Sequence, residues 1–460
     1  MSATAEPPSG KDPAQRDAWA IDTLLTYFSP RTGRWRTPTG EAWQPALAIE
    51  AVLSSYERRR DVRGLNVVEK SFARYRGRRS RFFDDNGWYL NAWLRAYDAT
   101  GDPKYLTEAR ALFAAMTLGW DDRCGGGLWW NGDRRYKNAI TNELFLLAAA
   151  RLYRRTGLEL YRDWARRTWS FIEASGLINE AGLVNDGLDA DCRNNGQPSW
   201  TYNQGVLLGG LVELWRDTGD PALLATARRV ADAAIANLSG DSVLRELTEP
   251  DPTNADSHLF KGILAQHLAR LHRLDRSARP GYGDFLVGNA EAAFARARDP
   301  VRGVGLAWAG PPRTVTGATH TAASLLFAEV ALLDRDEPST VRAPVGAGIR
   351  YPAEPDGGRG FVVSDRDGSV LRFTVEGTGV QPASVTVRYA AGAGDGYRDV
   401  HIDGVSVADG LLFTGTGGWD RYGTVSLDVA LPAGRRSVSI VYEASRGSRT
   451  RIDLDSLTVR

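Results

Sequence analysis

Apolar positions recur at helical spacing from about residue 16 to 338, in two alternating kinds of segment. In one kind a single face is apolar. Tyr105, Leu106, Ala109, Leu112, Phe113 and Met116 form such a stripe, as do Leu160, Tyr161, Trp164, Ala165, Thr168, Trp169 and Ile172. In the other kind the apolar character runs almost all round, as in Leu144 to Ala150 and Val206 to Val212. A helix with one apolar face lies outside a core, and one apolar all round lies inside it. Between inner and outer segments stand short turns: Thr100-Gly101-Asp102, Thr156-Gly157 and Thr218-Gly219-Asp220. Glycine there stops a helix and the residues after it open the next. Further hairpins are expected at about 17–75, 258–300 and 318–334, which makes about six pairs and predicts an all-α (α/α)6 barrel or toroid. The outer-to-inner connections are long, at about 76–87, 117–139, 175–204, 239–258 and 300–317, and all emerge at one end of such a barrel. Long loops on a rigid scaffold are where sites sit.

Beyond residue 338 the period changes to two. Ser369 to Val375, Ser384 to Tyr389, Val425 to Val429 and Ser437 to Tyr442 alternate apolar and polar residues between Gly- and Pro-rich turns. That pattern predicts an all-β sandwich. The expected organisation is a disordered lead-in over 1–15, a helical domain over 16–337, a linker over 338–348 and a β-sandwich over 349–460.

Composition narrows the function. The net charge of +1 gives no reason to expect nucleic acid or an anionic membrane as a partner. No apolar run reaches the roughly 18 residues of a membrane span, and the polar N-terminus shows no secretory h-region. Cys124 and Cys192, the only two cysteines, can pair or stay free. A total of 14 Trp favours carbohydrate, whose flat faces stack on indoles, although Trp also fills helical cores. The stretch from Trp120 through Gly125-Gly126-Gly127 to Trp129, Trp130 and Asn138 joins flexible backbone, aromatics and polar side chains in one loop.

Two aspartate pairs, Asp84-Asp85 and Asp121-Asp122, fall at the loop-rich end. Glycoside hydrolysis needs two carboxyl groups, about 5–5.5 Å apart in a retaining enzyme. Neighbouring carboxylates in a non-helical loop reach that range, and their repulsion keeps one protonated. The plainer alternative makes Asp85 the N-cap of a helix starting near Asn86, and Asp121-Asp122 an Asx turn. Trp88 and Tyr89, on the first turn of that helix, favour the catalytic reading for the first pair. Of the five histidines, His267 and His272 read as helix-surface residues, and His258 and His320 fall at inner-helix mouths.

With those residues in hand, the chain resembles glycoside hydrolase family 76. The resemblance is carried by Asp84-Asp85-Asn86-Gly87-Trp88, Cys124 to Trp130, Tyr136 to Glu143, Gly182 to Leu188, Trp200 to Gly205, Phe260-Lys261-Gly262 and Trp308. It implies a retaining endo-α-1,6-mannanase acting on mannan polysaccharide or oligosaccharide as a monomer, with no cofactor for catalysis. It implies Asp84 as nucleophile, Asp85 as general acid/base and Asp121 as a shaping residue. Trp88, Trp129, Trp130, Asn138, Tyr202, Asn203 and Gln204 would line mannose subsites. It also implies secretion, through a signal that this sequence does not display.

The C-terminal part resembles carbohydrate-binding modules of families 6 and 35 at Tyr351 to Glu354, Val387 to Ala390, Gly394 to Tyr397, Trp419 with Tyr422, and Ile452 to Asp455. That implies a jelly roll, with Tyr397 and Trp419 in loops where they stack on sugar, and a structural calcium held by Glu354 and Asp455. Competing functions are a mannan transglycosylase using the same dyad, a non-catalytic mannan-binding protein and a barrel epimerase. The last requires histidine pairs that the sequence does not supply.

Overall fold

The computed structural model describes residues 12–249, 253–275, 281–333, 349–350, 361–364, 370–377, 379, 381–392, 394–403, 405–418, 421–441 and 452–459. The chain divides into two compact units, one helical and one of sheets. The described residues of the helical unit hold α1 (Pro13–Leu25), α2 (Gln44–Arg59), α3 (Val62–Tyr75), α4 (Phe83–Thr100), α5 (Pro103–Thr117), α6 (Ala139–Thr156), α7 (Glu159–Ala174), α8 (Thr201–Thr218), α9 (Pro221–Asn237), α10 (Phe260–Leu274), α11 (Gly281–Arg296) and α12 (Gly317–Val330).

The two kinds of apolar pattern become two kinds of helix. Every residue of α12 is buried, and so is α2 from Gln44 to Tyr56. By contrast α5 buries only Tyr105, Ala109, Leu112, Phe113 and Met116. The buried helices touch in sequence. Arg95 of α4 donates to Glu50 of α2 at 3.3 Å, and Asn91 of α4 donates to the Leu144 carbonyl of α6 at 3.2 Å. Leu146 of α6 packs over Gly210 of α8. A Cβ at Gly205 of α8 would stand 2.7 Å from the Leu264 Cα of α10, so only glycine permits that approach. α10 packs on α12, and Ser54 of α2 donates to Glu329 of α12 at 2.8 Å.

The turns follow the expected glycine stops; Gly219 closes α8 in the left-handed region. Two expectations change. The span 17–75 holds three helices rather than a pair, because α1 packs on α12 and supplies the partner that the single helix near 318–334 lacks. And α4 begins at Phe83, so Asp84 and Asp85 stand on a helical first turn and not in a loop. Three two-residue hairpins were not foreseen: β1 (Phe28–Ser29) with β2 (Arg34–Trp35), β3 (Ser239–Gly240) with β4 (Val243–Leu244), and β5 (Arg298–Asp299) with β6 (Gly303–Val304). No described helix is long and apolar enough to cross a membrane.

The second unit contains β7 (Ile349–Arg350), β8 (Phe361–Ser364), β9 (Val370–Gly377), β10 (Ala383–Ala390), β11 (Gly396–Ile402), β12 (Val405–Phe413), β13 (Gly423–Val429), β14 (Gly434–Val441) and β15 (Ile452–Val459). They form an antiparallel sheet in the order β13-β10-β15-β8-β7 and another in the order β12-β11-β14-β9. Phe373, Val400, Phe413 and Ile440 of the second sheet share one core with Val385, Val387, Tyr389 and Leu454 of the first. Tyr397 lies on β11 opposite Leu412 and is 41% exposed; it is a strand residue, not the expected loop residue. Trp419 and Glu354 lie outside the described residues, as does the side chain of Asp455, so the calcium expectation falls there too. Among the described residues no group of three or more His, Cys, Asp or Glu is placed to hold a metal ion.

Candidate active site

The turn before α4 is built around two polar side chains. Asn86 accepts from the Ser80 N–H at 2.9 Å and donates to the Ser80 and Phe82 carbonyls at 2.9 and 3.2 Å. The Phe83 N–H donates to the Trp130 carbonyl at 2.8 Å, which ties the helix start to the glycine loop. Asp84 and Asp85 follow at once. Asp84 Oδ2 accepts the indole N–H of Trp130 at 3.1 Å, and Asp84 Oδ1 accepts the backbone N–H of Asp85 at 3.1 Å. Asp85 Oδ2 accepts the Ser80 hydroxyl at 2.8 Å.

Burial and then the neighbouring charge of Asp85 push the Asp84 carboxyl up to about 7, against the pull of the Trp130 indole. Burial also raises Asp85; the Ser80 hydroxyl opposes this and the charge of Asp256 adds to it. Both carboxyls are thus raised; burial weighs most on an ionised Asp84, and its two N–H donors, the Trp130 indole and the Asp85 backbone, are what oppose it.

Further acids face the same region. Asp186 accepts the Tyr136 hydroxyl at 2.5 Å and is raised mainly by burial. Glu143 on α6 is wholly buried, has no hydrogen-bond partner for either oxygen, and is raised well above its ordinary value by burial and by Asp186. Asp256 accepts the Trp43 indole at 2.8 Å. Tyr202 feels Asp186, Asp84, Glu143 and Asp256, and burial first of all holds its phenol neutral. A run of rings stands beside these acids: Trp43 stacks on Trp88 at 5.1 Å, Trp88 on Tyr202 at 6.4 Å and Tyr202 on Phe260 at 3.8 Å.

The remaining expected site residues divide. Trp130 is partly exposed, beside the dyad. Asn138 and Asn203 are buried; the Asn138 side-chain oxygen and both amide atoms of Asn203 have no partner. Gln204 spends its amide on the loop before it, binding both Val184 backbone groups and the Trp200 carbonyl. Trp129 is 4% exposed, donates its indole N–H to Asp121 at 2.6 Å and lies under the Lys137 ammonium. Its face is covered by the protein's own cation. Lys137 in turn donates to Asp121 Oδ1 and to the Arg123 and Gly126 carbonyls at 2.6–2.7 Å. The glycine loop is therefore wound around a buried ammonium group, with Asp121 in the expected shaping position.

Cys124 and Cys192 are bonded, which joins this loop to the one carrying Asp186. His267 is buried in α10 rather than on its surface, and His320 is buried between the Ala20 carbonyl and the Val304 N–H. Ser80, Trp43 and Asp256 were missed because each reaches the site from a different stretch of chain. Tyr136, Glu143 and Asp186 stood inside motifs already noted without a role attached.

Comparison with known proteins gives the family of the chain. The family model "Glycosyl hydrolase family 76" matches residues 24–342, and "Carbohydrate binding module (family 6)" matches residues 346–460. The mannan endo-1,6-alpha-mannosidase DCW1 of Saccharomyces cerevisiae is 33% identical over 203 residues, 42% of this chain and 45% of that protein. The Eremothecium gossypii protein of the same name is 32% identical over 206 residues, 42% of this chain and 46% of its own. The chain thus spans about half the length of the curated relatives it matches. The family 76 α-1,6-mannanase of Salegentibacter sp. HEL1_6 superposes with a TM-score of 0.64 at 26% identity, covering 70% of this chain and 100% of that one. A double Asp-to-Asn variant of that mannanase, described as inactive, has been solved with α-1,6-mannotriose (TM-score 0.63, 25% identity, with the same coverage). The family match runs over most of the chain, from within α1 to beyond α12 and across the aspartate pair, and the chain therefore belongs to glycosyl hydrolase family 76.

Proposed function

We propose that this protein is a retaining, endo-acting glycoside hydrolase that cleaves α-1,6-mannosidic bonds in mannan. The observation that carries the reading is the hydrogen bonding of the adjacent pair. Asp84 accepts two N–H groups, which suits an ionised nucleophile. Asp85 faces a hydroxyl that can turn either way, which suits a group that gives and takes a proton.

In the first step Asp84 attacks the anomeric carbon while Asp85 protonates the departing glycosidic oxygen, and a mannosyl ester forms on Asp84. In the second, Asp85 takes a proton from water, the water oxygen bonds the anomeric carbon and the Asp84 carboxylate leaves. Carboxyl groups and water balance both steps, so no cofactor is needed. Trp130 and Tyr202, partly exposed, form the sugar-facing wall, with the buried Trp88, Asn138 and Asn203 lining it beneath. Trp129 and Gln204 support it from behind.

The ring of contacts α2-α4-α6-α8-α10-α12-α2 supports an (α/α)6 barrel over residues 16–337. The two-sheet unit over 349–460 supports a jelly roll that binds carbohydrate. The Cys124–Cys192 bridge supports action in an oxidising, extracytoplasmic setting.

The test is incubation with unbranched α-1,6-mannan. Product size over time and the anomer first formed, read by NMR, are the measurements. Mixed short oligosaccharides appearing first in the α form are expected. Asp84→Asn and Asp85→Asn should each lower the rate by about 10³-fold or more, while Asp121→Asn retains activity. Inverted product overturns the retaining step. An added acceptor sugar that captures most of the product points to transfer in place of hydrolysis.

A further inference from the structure

We infer that Trp130 is a positioning residue for the nucleophile: its indole N–H holds Asp84 Oδ2 as an acceptor and thereby directs the proton shared by the aspartate pair to Asp85. The inference rests on the reading of Asp84 and Asp85 given above and assigns Trp130 a task other than stacking on sugar.

Three observations carry it. First, an indole nitrogen donates and never accepts, so the 3.1 Å contact obliges Asp84 Oδ2 to be a lone-pair acceptor. The other Asp84 oxygen is committed likewise, to the Asp85 N–H. A proton placed on Asp84 would weaken the N–H contact on the oxygen that carries it, because a neutral carboxyl is the poorer acceptor. Asp85 meets the Ser80 hydroxyl instead, which keeps a lone pair for a proton on Asp85 while its other lone pair takes the Phe82 N–H.

Second, the indole is fixed from both sides. The Trp130 backbone N–H donates to the Tyr136 carbonyl at 2.7 Å and its carbonyl accepts from the Phe83 N–H at 2.8 Å. Its ring packs on Phe82 at 4.9 Å and stands edge-on to Tyr136 at 6.4 Å. The donor is therefore held in place before substrate arrives, as preorganised stabilisation requires.

Third, the surroundings make this donor matter. Asp84 feels Asp85, and Asp85 feels Asp256 ahead of α10; the Tyr89 phenol on α4 feels Asp85, and the Tyr202 phenol on α8 feels Asp84 together with Asp186 and Glu143. These are acids and neutral phenols. In such company an ionised Asp84 depends on its neutral N–H donors.

The test compares wild type with Trp130→Phe in the full chain. Phenylalanine keeps an aromatic ring for stacking and removes the N–H. The acidic limb of kcat/KM against pH, measured on α-1,6-mannan oligosaccharides, should move up by about one pH unit, the tenfold change in ionisation expected for a hydrogen bond to a charged group. Well below the optimum kcat should fall about tenfold, with KM within about twofold. An unmoved acidic limb with a raised KM overturns the proposal and leaves Trp130 as a stacking ring.

A second measurement does not depend on the variant folding or on the substrate. In wild type with 15N-labelled indoles, one indole resonance should titrate with the pair and be the one that Asp84→Asn perturbs. An indole spectrum without such a resonance overturns the proposal. A wild-type protein inert on every α-1,6-mannan substrate sinks the substrate reading instead, and the titration still decides the role of Trp130.

Discussion

Glu329 shows how single residues hold this scaffold. It is buried in α12, takes the Arg273 guanidinium at 2.6 Å on one oxygen and the Ser54 hydroxyl at 2.8 Å on the other. Burial alone would raise its carboxyl, but Arg273 and then Arg95 outweigh burial and hold it below the ordinary value. A depressed carboxylate stabilises the fold above its unfolded value of 4.5 and loses that contribution as pH falls through the folded value. Glu329→Gln should therefore cost about 3 kcal/mol at pH 7 by removing the buried charge that faces Arg273 and Arg95. Denaturant melts should show the gap to wild type narrowing at pH 4 and below; an unchanged gap would mean that Glu329 acts by packing alone. The aspartate pair has the opposite sign, Asp84 raised by burial and Asp85, and Asp85 by burial and Asp256, so both cost stability near neutral pH. That pair was legible because both carboxyls and Trp88 stand within five residues. Ser80, Asp256 and Trp43 were not, because hydrogen bonds across loops bring them together and no spacing records that.

Elements repeat the lesson. The alternation of all-round and one-faced apolar segments forecast inner and outer helices, since burial dictates side-chain type directly. The short hairpins after α1, α9 and α11 went unseen because two-residue strands carry no readable period. The pairing of α1 with α12 was also invisible, for it joins opposite ends of the helical unit. The cysteines left two states open, and the structure selects the bond. Its consequence is local to the site: one cysteine sits in the loop wound around Lys137, and the other in the loop that brings Asp186 to Tyr136. The 68-residue separation gives a loop-closure contribution of about 4 kcal/mol. Thiol reductant, or Cys124→Ser, should lower the melting temperature of the helical unit and raise KM for mannan more than it lowers kcat. A melt and steady-state kinetics with and without reductant check this. Unchanged KM would place the bridge outside the substrate path.

The whole chain joins the helical unit that carries the adjacent aspartate pair to a unit with a hydrophobic core of its own. Phe373, Val400, Phe413 and Ile440 pack with Val385, Val387 and Leu454 between the sheets. What they leave outside is informative. Tyr397 and Leu412 face each other across β11 and β12, 41% and 40% exposed, with Val405 and Val407 also exposed on β12. A paired aromatic and aliphatic surface on neighbouring strands is a flat apolar strip of the sort a sugar face covers. Binding there would concentrate the enzyme on polymer without touching the chemistry, which is an effective-concentration effect. Tyr397→Ala in the full chain should therefore weaken adsorption to insoluble mannan several-fold, measured as protein depleted from solution. It should leave kcat/KM on soluble short α-1,6-mannan oligosaccharides within about twofold of wild type, because no group of the aspartate pair is altered. Equal adsorption by the two proteins would move the carbohydrate contact away from this strip. An equal loss on both substrates would mean that the tyrosine supports the fold rather than the ligand.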